Sequence, residues 1–270
     1  MPDAAAPAVP PLRELGHDLI DLTRRQRVTA VALPFACAGA YFAFAAAGWW
    51  PAAAFAVVAL SFFTYGSTSH DLVHRSMGLP GRANELFLCV VELLALRSGH
   101  AYRAGHLHHH ATFPHADDIE GAAARMTWFG ALADGLTLQP RIWWWAVRRG
   151  GKDRAWVVGE GVACAVVVAG SVALAPVTPA FLVYVALVVA GSWVIPLATS
   201  YVPHDPAGAD ELTQTRAFRG RVASVLALGH LYHLEHHLYP AVPHQNWPEL
   251  ARRLDPHLHR AGVRPVRLWF

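Results

Sequence analysis

The sequence predicts an all-α integral membrane protein: four transmembrane helices in two hairpins, with a cytoplasmic helical cap that carries clustered histidines. Three observations predict it. The 270 residues are 54% hydrophobic and only 15% charged, which is unusual for a soluble domain. Two long stretches are almost free of charge: no Asp, Glu, Lys or Arg occurs from Val28 to Ser69, and Glu160 alone does from Ala155 to His204. Nine of the 17 histidines fall in three short clusters, and all 17 lie outside the helix–helix turns.

Crossing a ~30 Å hydrocarbon core takes about 20 helical residues, so each stretch suffices for two passes. Each also holds one turn signal, "GWWP" at residues 48–51 and "APVTP" at residues 175–179. Gly and Pro end helices, and Trp favours the membrane interface. The spans therefore fall at about 28–47, 52–69, 155–174 and 180–201. Amphipathic periodicity is nearly absent there, which argues against a soluble bundle. Glu160, near the start of span three, is expected to snorkel to the interface.

Residues 1–27 form an N-terminal tail and an interfacial helix. The first ten are Ala- and Pro-rich and read as disordered, and Leu12, Leu15, Leu19 and Leu22 mark a helix on the membrane surface. The membrane domain occupies 28–248, and 249–270 is a basic C-terminal tail. Within the domain, residues 84–97 are apolar but too short to cross and read as a buried or re-entrant helix. Residues 125–149 mix Trp with Arg as an interfacial segment does, and a helical run leads from Val222 into the third histidine cluster.

All 22 Lys and Arg lie outside the two turns, so the positive-inside rule makes that side cytoplasmic. A bacterial inner membrane suits this arrangement, and "MPDAAAPAVPPLRE" does not read as a secretory signal. A net charge of +3, with "RRQR" and "RRGGKDR" beside the spans, fits anionic headgroups or an acidic protein partner rather than nucleic acid. Cys37, Cys89 and Cys164 lack metal or redox spacing and read as packing residues.

The clusters are "HDLVH" (His70, His74), "HLHHH" (His106 to His110) and "HLEHH" (His233, His236, His237). At about 100° per residue, positions 0 and 4 lie roughly 40° apart on a helix and position 3 about 60° to the other side. His106, His109 and His110 can then converge, as can His233, His236 and His237. His108 and Glu235 point away; Glu235 is free to pair with a basic residue. Eight neutral imidazoles exceed what one ion uses, so two metal ions sharing the set are expected; imidazole suits Fe, Zn, Cu and Ni alike.

HxxxH, then HxxHH, then HxxHH between apolar hairpins resembles the integral-membrane fatty acid desaturase and hydroxylase superfamily, which includes carotenoid ketolases and hydroxylases. The resemblance runs from about Val28 to Pro248. It implies a cytoplasmic non-haem di-iron centre, with O2 as co-substrate and His70, His74, His106, His109, His110, His233, His236 and His237 as ligands. It also implies a further ligand just after span four, where "YVPHD" places His204, and acids that orient the imidazoles, for which Asp71, Asp117, Asp118 and Glu120 are candidates. His100, His115, His230 and His244 miss the register of the boxes.

The implied activity is an O2-dependent membrane oxidoreductase that desaturates or hydroxylates a long lipid hydrocarbon. "HLEHHLYPAVP" is similar to acyl-lipid desaturases, whereas "HADDIEG" and "YVPHD" are similar to carotenoid ketolases; a fatty acyl substrate is favoured. A separate ferredoxin or cytochrome-like donor is expected, docked on basic segments. From another class, a His-rich membrane metal transporter or sensor is the alternative; spans one, two and four hold none of the ionisable groups that transport favours.

Overall fold

In the computed structural model, residues 9–220, 222 and 229–268 are described. Four helices are long and apolar enough to cross a membrane: His17–Ala46, Trp50–His74, Arg154–Leu174 and Ala180–Tyr201. In the third, only 17% of the most apolar window is buried inside the protein. Such a contiguous apolar surface is stable in lipid, not in water. The chain is an all-α membrane protein.

Short helix α1 (Leu12–Leu15) and a 3₁₀ turn (His17–Ile20) precede the first span, α2 (Arg24–Ala46). The expected surface helix over 11–27 is thus divided. Gly16, at φ 120°, breaks it, and a capping box restarts it. Thr23 Oγ1 accepts from Gln26 N at 3.2 Å while Gln26 Oε1 accepts from Thr23 N at 2.9 Å. Leu15 and Leu19 are buried against the C-terminal segment rather than turned to lipid.

Gly48, at φ +75°, turns the chain into α3 (Trp50–Phe63). A π-helical turn, Thr64–Thr68, joins α3 to α4 (Ser69–His74), which carries the first histidines. The cap then contributes α5 (Gly81–Leu94), α6 (Gly99–Thr112), α7 (Trp128–Asp134) and α8 (Leu138–Arg149). In the 125–149 region Trp128, Phe129, Leu136 and Trp144 are exposed, an aromatic fringe suited to an interface. Spans three and four are α9 (Arg154–Leu174) and α10 (Ala180–Ser192); the latter continues to a second π turn, Leu197–Tyr201.

Two hydrogen bonds fix how the hairpins stand. Thr68 Oγ1 donates to Ala30 O at 2.9 Å, tying the end of span two to the start of span one. Tyr41 OH donates to Ala180 O at 2.5 Å, tying the end of span one to the start of span four. The two tight turns therefore share one face, and the histidine-bearing ends share the other. Buried Tyr41, Val57, Leu60, Tyr184 and Val188 fill the space between spans one, two and four.

Beyond span four come α11 (Glu211–Gln214), α12 (His233–Leu238) and α13 (Trp247–Arg260). Most of the helical run expected from Val222 lies outside the described residues. The segment read as a basic tail is anchored, not free: Leu250, Leu254 and Leu258 of α13 bury against Leu15, Leu19 and Leu234. A two-residue parallel strand pair, Phe218–Arg219 with Val266–Arg267, adds a second tie.

Candidate metal centre

Both spans that deliver histidines break into a π turn just before doing so, at Thr64–Thr68 and Leu197–Tyr201. Such turns recur at functional sites because they rotate the residues that follow off the regular helical path. Here they direct α4 and His204 inward toward the box helices α6 and α12.

Eight of the nine expected histidines meet in two groups of four. His70, His74, His106 and His236 form one, and His109, His204, His233 and His237 the other, with nitrogen atoms in each group within 4.8 Å of one another. His110 lies between them: its Nε2 is 2.7 Å from His236 Nε2 and 3.2 Å from His106 Nε2, and its ring centroid is 4.4 Å from that of His237. The groups cut across the boxes. His106 and His109, expected to converge, serve different groups, as do His236 and its neighbours His233 and His237. Residues three apart point about 60° apart on a helix. That angle feeds two adjacent positions better than one.

Contact between the rings is made by Nε2 atoms: His70 to His236 at 2.9 Å, His109 to His204 at 3.1 Å, His204 to His237 and His237 to His233 at 3.2 Å. Three Nδ1 atoms point outward to acceptors, whereas those of His70 and His236 are buried without a hydrogen-bond partner among the described residues. His109 Nδ1 lies 2.7 Å from Asp118 Oδ2, His106 Nδ1 3.1 Å from Glu120 Oε1, and His204 Nδ1 2.9 Å from Ser200 O. With the protons on Nδ1, the Nε2 lone pairs face one another, an arrangement that repels unless a cation lies among them. His74 Nε2 is also buried without a hydrogen-bond partner among the described residues. The donor set fits metal ions.

Burial, reinforced by neighbouring imidazoles, holds His106, His110, His204, His233, His236 and His237 well below the ordinary histidine value. They are neutral at pH 7, the form that binds metal. Burial also lifts the Glu120 carboxyl to about 7. At Asp118 burial acts in the same sense, but the hydrogen bond and charge of His109 outweigh it and hold the carboxyl below its usual range.

Of the other acids, Asp71 accepts from His244, N at 3.1 Å and Nδ1 at 2.7 Å, and its Oδ1 lies 3.9 Å from His70 Nδ1. Asp117 is exposed, 3.6 Å from His108, which points outward and packs on Trp145. Glu235 points away and accepts from Arg219 at 2.5 Å. Glu160 does not snorkel. It is 3% exposed, held by Ser98 and His100, because two polar partners, the N-cap and first turn of α6, reach the span. Trp247, not singled out by the sequence, lies edge-on to His70, its centroid 5.3 Å from those of both His70 and His236. A cleft of about 30 Å³ between the π turns opens onto the histidines, lined by Tyr65, Gly66, Tyr102, Ala198, Thr199 and Trp247. A larger groove, about 680 Å³ along α2, touches none of the nine.

Four apolar helices beneath a cap with two histidine groups define a membrane protein whose clustered imidazoles could hold metal ions. The model of the family described as fatty acid desaturase matches residues 47–269, and the chain belongs to that family, the membrane fatty acid desaturase and hydroxylase superfamily. No curated protein matches the chain. Family membership makes it a desaturase- or hydroxylase-type oxidoreductase with a lipid substrate.

Proposed function

We propose that the protein is an O2-dependent di-iron oxidoreductase that desaturates or hydroxylates a long lipid hydrocarbon, with a fatty acyl chain as substrate. The observation that carries this reading is the meeting of two four-histidine groups through their Nε2 atoms at the ends of spans two and four. His70, His74, His106 and His236 would hold one ion and His109, His204, His233 and His237 the other, with His110 between them. When bound, two irons supply the redox chemistry by which O2 oxidises an unactivated C–H bond, which side-chain acids and bases cannot attack.

The chain's own residues set the conditions. Asp118 and Glu120 fix the Nδ1 tautomer of His109 and His106, which leaves Nε2 free to coordinate. Tyr65 OH donates to Glu120 at 3.2 Å, so that carboxylate joins the cleft wall to a ligand. The cleft's ~30 Å³ holds a water or two and no hydrocarbon, so lining side chains have to move for substrate and bulk water is kept out. Apolar helices beneath it deliver a substrate dissolved in the bilayer. A separate ferredoxin or cytochrome-like donor supplies electrons from the cytoplasmic side.

A carotenoid ring is the second reading, favoured by "HADDIEG", whose Asp118 and Glu120 back His109 and His106. Expressing the gene in a plain and a carotenoid-producing host, then analysing fatty acids and pigments, separates the two. Metal analysis tests both: about two irons per chain are expected, and one zinc or none would remove the oxidative reading in favour of metal transport or sensing.

A further inference from the structure

A buried set of charges lies outside both histidine groups. His100, 1% exposed, is at its centre, with Nδ1 2.7 Å from Glu160 Oε1 and Nε2 2.9 Å from Glu85 Oε2. Ser98 Oγ and the His100 amide donate to the other oxygen of Glu160 at 2.6 and 3.1 Å. Glu85 also accepts from Arg103 Nη1. The set joins span three to α5 and α6. Buried ion pairs contribute little to stability against apolar packing, and their best-attested role is to fix register.

The register fixed here concerns one carbonyl. Arg103 Nη2 donates to Leu72 O at 3.0 Å, and Asn84 Nδ2 donates to the same oxygen at 2.9 Å. Leu72 stands between His70 and His74 near the C-terminus of α4, where the backbone offers its carbonyl only a 3.4 Å contact from Arg75 N. Arg103 is three residues before His106 on α6. One guanidinium therefore ties the helix that carries His106 to the peptide between His70 and His74. All three belong to the first group; none of the second group lies on α4.

We infer that Arg103, held by the Glu85–His100–Glu160 relay, is a positioning residue that sets His70 and His74 against His106 and so tunes one metal position and not the other. The inference rests on the two-metal reading above. Two Nη atoms in a planar fork reach carboxylate and carbonyl together, whereas a lysine ammonium on its flexible stem does not hold both in a fixed geometry.

Titrating the purified, metal-free full chain with Co²⁺, read by visible absorption, tests it. Wild type takes two equivalents. Arg103→Lys takes one with wild-type affinity and the second about 10- to 100-fold more weakly, the usual effect of disturbing the groups behind metal ligands. Equal weakening at both positions, or at neither, overturns the inference. If Arg103→Lys does not accumulate, Asn84→Leu, which strips the same carbonyl of a donor and leaves the charges in place, has to show the same one-site loss; a uniform change there also overturns it. Fewer than two equivalents in wild type removes the two-metal reading and this inference with it, whereas two equivalents with an indifferent Arg103→Lys removes the inference alone.

Discussion

Asp118 Oδ2 lies 2.7 Å from His109 Nδ1, while its Oδ1 accepts the amides of Glu120 and Gly121 at 3.1 and 2.9 Å. One carboxylate thereby orients an imidazole and shapes the loop that brings Glu120 to His106. Asp118→Asn keeps the shape but removes the charge that makes His109 a stronger donor. Metal held by the second group should weaken about 10- to 100-fold, measured by competition with a chelator. An unchanged affinity would remove Asp118 from the metal centre.

The pH dependence follows from the depressed cluster histidines. In the unfolded chain they titrate near 6.5, and in the folded chain burial and mutual proximity hold them well below it. Between those values the unfolded chain binds more protons, so stability rises with pH across that window. It is fully present above about pH 6.5 and is lost as the pH falls. The melting temperature of the metal-free protein in detergent should therefore drop progressively below pH 6.5; a flat profile down to pH 5 would contradict a neutral cluster.

Glu92 and Arg97 form a buried pair, joined at 2.7 and 2.8 Å with side chains 0% and 2% exposed. Glu92→Gln leaves the guanidinium buried without its counter-ion and should cost about 3–5 kcal/mol of stability. Replacing both, as Glu92→Gln with Arg97→Met, should recover most of that loss in thermal denaturation. A double variant no better than the single would show that the charge pairing is not the cause.

Gly135 lies against span four: a Cβ built on it would come within 1.9 Å of Trp193 O, a backbone atom that cannot turn aside. Gly135→Ala should push the cap from the span and cost about 1–3 kcal/mol, read as a lower melting temperature. A wild-type melting temperature would mean that the two elements separate freely.

Spans, turns and the inward faces of the histidine boxes were legible because each depends on local properties, run length and the 100° turn of a helix. The same arithmetic placed His108 and Glu235 on outward faces. It did not show that His106 and His109 serve different groups, since that depends on where a distant helix supplies His236 or His204. Glu160 was misread for a related reason: apolar neighbours in sequence gave no sign of Ser98 and His100, about 60 residues away.

The sequence by itself determined that the chain is helical, that it enters a membrane and that imidazoles accumulate where its spans end, because hydrophobic run length and helical period act over one or two turns. Only the tertiary structure decided how eight of the nine histidines divide into two groups with His110 between them, which carboxylates stand behind them and which arginine ties the first box to the second. Those outcomes depend on contacts between segments up to 166 residues apart, such as His70 with His236, and packing rather than local propensity selects them.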